Sequence, residues 1–214
     1  QKKVETRNFD IRKTLIKFDD VMNDQRQVIF SQRLNILKEN NIVKILNDFL
    51  EEILNDLKSS LNNYKKSNDE KYLTEIKNIT GNSISDNTLV NISSKDESIF
   101  EKEIITVFKE KRKSRVDILG EEQNKSLEKK VFLQVIDFSW RSHLQYLEQL
   151  RQVIGLRQYG QKDPLSEFKK EAFVLFEGLL IKIKKDLVKF LLNLNIVEAS
   201  DEKNKIKTKK KKMK

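Results

Sequence analysis

From Leu15 onward every seventh residue is apolar: Leu15, Met22, Ile29, Ile36, Val43, Leu50 and Leu57. That spacing predicts helix, because a strand would alternate with period two. The line half a heptad away is mixed, with Phe18, Leu46 and Ile53 but also Gln25, Gln32 and Glu39. A self-sufficient coiled coil wants both lines apolar. Residues 1–37 therefore read as one long helix that lies against surfaces other than a copy of itself. The cluster Glu39, Asn40, Asn41 interrupts the pattern, which restarts with Ile42, Ile45, Leu46, Phe49, Ile53 and Leu57. Residues 67–96 mix Ser, Asn, Asp and Thr with scattered apolar side chains and read as loop with short elements. Phe100, Ile104, Val107 and Phe108 restore a helical period, and Gly120 supplies a C-terminal stop.

The last third carries two amphipathic helices. Leu133, Ile136, Trp140, Leu144, Leu147 and Ile154 share one face of the first; Leu165, Phe168, Ala172, Leu175, Leu179, Ile183, Leu187, Phe190 and Leu194 share one face of the second. Between them Gly155 and Gly160 are expected to permit unusual backbone angles, and Asp163 followed by the chain's only proline, Pro164, is a helix start. The fold expected is all-α: a long scaffold helix over 1–37, a mostly helical region over 38–126, a helical hairpin over 127–197 and a tail over 198–214. The hairpin's first arm, placed at 127–157, would reach about 45 Å at 1.5 Å per residue.

Charge changes this picture only at the end. The net charge is +10, but residues 203–214 hold eight lysines and no acid, so the remainder is close to neutral at about +2. Such a run is most often a solvated tail, with attraction to an anionic lipid surface or nucleic acid as the alternative. The longest apolar run, Ala172 to Phe176, is far short of a membrane span. The chain begins at Gln1 without a signal peptide and reads as a piece of something longer. It has no cysteine, which fits a reducing, cytoplasmic setting and excludes a thiolate zinc site.

Candidate chemistry is thin. GLRQYGQK, Gly155 to Lys162, imitates a phosphate-binding loop, but Gln161 displaces the lysine, no Ser or Thr follows it, and no strand precedes it. His143 is the only histidine and has no cysteine to pair with, so a helix-surface or packing role is expected of it. Asp19 and Asp20 are adjacent on a helix and do not face one another, so they make no acid/base pair. This chain is expected to have no catalytic residues, no metal site and no cofactor of its own.

Two long strings carry a family likeness. VETRNFDIRKTLIKFDDVMNDQRQVIFSQR, Val4 to Arg33, resembles the long helix of the helical scaffold domain in the SecA family of preprotein translocation ATPases. FLQVIDFSWRSHLQYLEQLRQVIGLRQYGQKDPLSEFKKEAFVLF, Phe132 to Phe176, is similar to that domain's two-helix finger, and the region between them stands where the family has its helical wing. The resemblance implies a motor that couples ATP hydrolysis to movement of unfolded preproteins through the SecYEG channel, working at the cytoplasmic face of the bacterial inner membrane. ATP and Mg²⁺ would be bound by nucleotide-binding domains of the same parent chain that lie outside this segment. The resemblance also implies contact with an anionic phospholipid surface and self-association as a homodimer. It assigns contact with polypeptide and channel to Arg157, Gln158, Tyr159 and Gly160 at the finger tip, and scaffold docking to Arg12, Asp19, Asp20, Gln25 and Arg26. The family's usual C-terminal zinc-binding cysteine cluster is not in this sequence. Two other readings stand beside this one: a non-enzymatic helical scaffold or adaptor, and a nucleic-acid-binding helical module that uses the lysine tail.

Overall fold

The structure, a computed structural model, describes residues 2–39, 42–93, 96–160 and 163–196; for residues 2, 3, 10, 11, 82, 86, 90, 92, 93 and 158–160 it describes the backbone alone. The described chain is helical: α1 (Lys2–Lys38), α2 (Ile42–Ser67), α3 (Glu70–Thr80), α4 (Asp86–Ser93), α5 (Glu97–Leu119), α6 (Glu121–Ile154) and α7 (Pro164–Asn193). Short 3₁₀ stretches lie at Gly81–Ser83 and Gly155–Gly160. The all-α expectation holds. Among the described residues no helix is long and apolar enough to cross a membrane. The chain divides into two compact units, one of residues 1–53 and 128–188 and the other of residues 54–127 and 189–214, with the divisions falling inside α2, α6 and α7.

The first unit is built from α1, the start of α2 and a helical hairpin. The hairpin arms, α6 and α7, run antiparallel: Leu147, Leu150 and Ile154 near the end of one share a core with Phe168 and Ala172 near the start of the other. Local chemistry sets the turn. Asp163 accepts hydrogen bonds from the Ser166 backbone N–H and hydroxyl at 2.9 and 2.6 Å, so it caps α7 and leaves Pro164 in the first-turn position that needs no N–H. Those bonds hold the Asp163 carboxyl below its ordinary range, the Ser166 hydroxyl contributing most. Gly155 departs from expectation: its φ is not positive and an added Cβ would meet nothing. The first arm turns at Gly155 without needing glycine's extra freedom. Phe190, placed by period on the buried face, is exposed.

On α1 the buried row takes Ile29 and Ile36 from the heptad through Leu15 and Phe18 and Gln25 from the line half a heptad away. Leu15 is exposed, whereas Phe18, Gln25, Ile29 and Ile36 are buried. Those four advance by seven, four and seven residues, and eighteen residues make about five turns at 3.6 per turn, so the row runs straight along an unsupercoiled helix. The break after α1 falls where the Glu39, Asn40, Asn41 cluster predicts, although Asn40 and Asn41 lie outside the described residues.

Over 67–96, read as loop with short elements, the second unit has two short helices, α3 and α4. Asn68 takes a left-handed φ of 53° and its N–H closes onto the Tyr64 carbonyl, which ends α2; Asp69 then accepts from the Lys71 N–H and starts α3. Two adjacent residues therefore stop one helix and begin the next. Gly81 has a φ of 57°, and a Cβ there would come within 2.4 Å of the Asn193 side chain. Ser83 donates to the Leu192 carbonyl at 2.6 Å, and buried Arg115 donates to the Leu191 carbonyl at 2.7 Å and to Asn124 at 3.4 Å. The end of α7 is thus held by polar bonds to groups far away in sequence. Gly120 has a φ of 82° and its N–H bonds the Val116 carbonyl, which ends α5 as expected.

Candidate functional site

The first unit brings α1 against both arms of the hairpin, and the residues that join them include several singled out in the sequence. Phe18 meets Phe168 edge-on with ring centroids 4.9 Å apart, inside the core formed with Leu147, Leu150, Ile154 and Ala172. Edge-on pairs of this kind add about 0.5–1.5 kcal/mol beyond their burial.

Two turns further along α1, Gln25 is buried and spans the two arms. Its Nε2 donates to the Ala172 carbonyl on α7 at 3.0 Å, and its Oε1 lies 2.8 Å from Nε2 of His143 on α6. The carbonyl can only accept, which fixes the amide orientation; the facing oxygen then requires His143 Nε2 to carry the proton. The imidazole lies beside Trp140 and Phe176, with centroids 5.6 and 5.9 Å away, and burial pushes its pKa below the ordinary value. Gln25, grouped with the docking residues in the sequence, is thereby committed inside the unit. Of the two roles expected of it, His143 has the packing one.

Ion pairs flank this lock. Arg151 on α6 reaches Asp19 on α1 at 3.0 Å and Glu148 at 2.8 Å. Arg33 on α1 pairs with Asp137 on α6 at 3.0 Å, and Lys129 donates to the Leu37 carbonyl at 3.4 Å, a cation at the negative end of α1. These pairs are partly exposed, so each contributes at most about 1 kcal/mol. Their main effect is to fix which turns face one another.

Arg12 and Asp20 are exposed, and Arg26 donates to its neighbour Asn23 at 3.4 Å. Asp19, Asp20, Met22, Asn23 and Arg26 line an open cavity of about 420 Å³ on the surface of α1. The structure brings Asp19, Asp20 and Arg26 together there, leaves Arg12 apart and turns Gln25 inward. At the hairpin turn, Arg157 pairs with Glu167 at 3.2 Å and with Glu171; the latter bond is the main reason its guanidinium titrates above its ordinary value. Gln158, Tyr159 and Gly160 continue the 3₁₀ stretch, and their side chains lie outside the described residues.

The site also has a feature the heptad reading passed over. Phe9, Ile16, Phe30, Leu34 and Leu37 are 48–65% exposed and share the side of α1 away from Phe18 and Ile29. A helix apolar on two faces has two surfaces to cover, and the unit covers one. The sequence signal was the run Val28, Ile29, Phe30, which cannot all face one way. Among the described residues no group of three or more His, Cys, Asp or Glu gathers as metal ligands would.

Comparison with known proteins fits this architecture. The family described as SecA Wing and Scaffold domain matches residues 1–195. The protein translocase subunit SecA of Pelagibacter ubique is 50% identical over 204 residues, covering 94% of this chain and 24% of that protein. Those of Caulobacter vibrioides and Hyphomonas neptunium are 38% and 35% identical over 210 and 203 residues, covering 94% and 93% of this chain and 22% of each relative. The chain spans about a quarter of the length of these curated relatives. With the match running through α1, the hairpin and everything between, the chain belongs to the SecA wing and scaffold domain family.

Proposed function

We propose that this segment is the mechanical linkage of a protein-translocating ATPase. In this reading residues 1–37 are the scaffold helix, 38–126 the wing and 127–197 a finger that touches unfolded preprotein and the SecYEG channel. The parent chain binds ATP and Mg²⁺ in nucleotide-binding domains outside this segment and works at the cytoplasmic face of the inner membrane. There it is expected to meet an anionic lipid surface and a second copy of itself. The observation that carries the reading is the two-faced α1: one face is fastened to both hairpin arms through Phe18 and Gln25, and the other presents Phe9, Ile16, Phe30 and Leu34 with nothing in its own unit to cover them. A helix so built can join a second body to the hairpin and transmit displacement between them.

The test uses the full-length protein. Ile16→Asp with Phe30→Asp should leave helix content unchanged and strongly reduce stimulation of ATP hydrolysis by an unfolded precursor. Stimulation equal to that of the unmodified protein would overturn the linkage reading.

A further inference from the structure

At the tip of the hairpin the chain has to reverse over the few residues between Ile154 and Pro164. A short 3₁₀ stretch with poor hydrogen-bond geometry does not hold its own direction well. One side chain ties that stretch to a rigid element. Arg157 reaches out of Gly155–Gly160 to two carboxylates on α7, donating through Nη1 to Glu167 at 3.2 Å and pairing through Nη2 with Glu171. Glu167 and Glu171 are four residues apart and so occupy one face of α7, one turn above the other. Alone they would repel; a guanidinium between them satisfies both, each with a different nitrogen. Glu167 is the more enclosed, its side chain 14% exposed, and stands in the first turn of α7. The pair of bonds is directional: two anchors on one helix face fix both the distance and the angle at which the 3₁₀ stretch leaves the hairpin.

We infer that Arg157 is a positioning residue, which sets the direction of the hairpin tip by bridging Glu167 and Glu171 and does not itself grip the moving polypeptide. The inference rests on the finger reading above for its functional consequence, but its structural half stands on the ion pairs alone.

The sequence has no cysteine, so within this segment two introduced cysteines can carry spin labels without competition. Labels on Gln158→Cys at the tip and Val174→Cys on the exposed face of α7 report the tip's direction as a distance distribution in the full-length protein. Arg157→Gln should broaden that distribution and slow precursor transport by about fivefold, a size in keeping with a doubly anchored, partly exposed charge pair. Arg157→Lys should fall between, because a single ammonium does not reproduce two fixed bonds. The exchange Arg157→Glu with Glu171→Arg keeps one cation among the same three positions and should restore both the narrow distribution and the rate. Slowed transport with an unchanged distribution, or an exchange that restores neither, would overturn the inference and make Arg157 a direct contact. A distribution that Arg157→Gln leaves narrow, with normal transport, would overturn it as well. A broadened distribution with normal transport would uphold the positioning role and count against the finger reading instead.

Discussion

The two units differ in how much of their apolar surface they cover. Among the described residues, the large apolar side chains left exposed fall mostly in the unit of α1 and the hairpin, from Val4, Phe9 and Ile16 to Phe138, Val174 and Ile181; the other unit contributes Ile99, Ile118 and Phe190. The second unit closes on itself through specific short-range fits: Asp69 capping α3, Gly81 against Asn193, Ser83 and Arg115 on the last carbonyls of α7. The first is held by long helices meeting at a few places, with Phe18, Gln25 and Arg151 as the fasteners. Scattered exposed apolar residues are ordinary on any protein. A repeating row of them along a helix whose opposite face is packed marks a surface made for something else. The unit that closes on itself covers most of its apolar surface, and the other leaves one row of α1 open.

The sharpest way to break the contrast is to damage the joint core of the open unit. Phe168 is fully buried and edge-on to Phe18, so Phe168→Ala removes a ring shared by α1 and both arms and should cost about 3–5 kcal/mol in chemical denaturation. A loss below about 1 kcal/mol, the middle of the range for all point substitutions, would mean the hairpin and α1 are not one core.

In the closed unit the matching test is Gly81→Ala. It places a Cβ where Asn193 already stands and at a backbone angle that side chains disfavour, so about 2–3 kcal/mol should be lost. Adding Asn193→Ala should return part of that by removing the obstructing amide and leave the part due to backbone angle. A Gly81→Ala protein as stable as the parent would remove the close fit from the comparison.

Parts of both units were legible in the sequence because their chemistry is local. Asp163 with Pro164 announces the start of α7 whatever surrounds it, and Gly120 ends α5 in the same way. The bounds of helix α3 could not be read because its signal is a single pair, Asn68 and Asp69, within a polar stretch that also suits a loop. The site was harder to read. A buried glutamine is indistinguishable in sequence from a solvated one until its partners are known, and those of Gln25 lie 118 and 147 positions away. The heptad through Leu15 was a partial guide: Ile29, Ile36, Leu50 and Leu57 are buried but Leu15 is exposed, because a straight helix lying on a hairpin keeps a row of period 3.6 and not 3.5. The likeness to the SecA scaffold named the family but could not say which side of α1 faced inward.

The polar fastener can be probed through proton linkage. Burial lowers the His143 pKa, so in the range below about 6.5, the ordinary histidine value, the unfolded chain binds this proton more readily than the folded one. Stability should therefore fall as pH drops below that value and level off above it. His143→Gln retains a donor for Gln25 Oε1 and has no titration there, so it should flatten this part of the profile while carboxylate effects nearer pH 4 persist. Identical slopes between pH 5 and 7 in both proteins would show that His143 is not the group responsible.

The smallest effect expected is also the most informative about the open face, because it compares neighbours on one helix. Ile29 is 1% exposed and Phe30 is 53% exposed. Ile29→Ser puts a hydroxyl into the buried row beside Gln25 and should cost several kcal/mol, combining a lost apolar side chain with a buried polar group of about 1–3 kcal/mol. Phe30→Ser removes a larger side chain yet should change the stability of the isolated segment by no more than about 0.5 kcal/mol, the usual range for surface positions without special bonds. On the linkage reading proposed above, the outer row of α1 is covered in the full-length protein, so the second substitution should cease to be neutral there. The measurement is the same denaturation midpoint for Phe30→Ser in the two contexts. A midpoint lowered in the full-length protein and unchanged in the segment makes the exposed row an interface. Neutrality in both would make it bare surface, and the contrast between the two units would then reflect tolerance of solvent rather than an interface waiting for its partner.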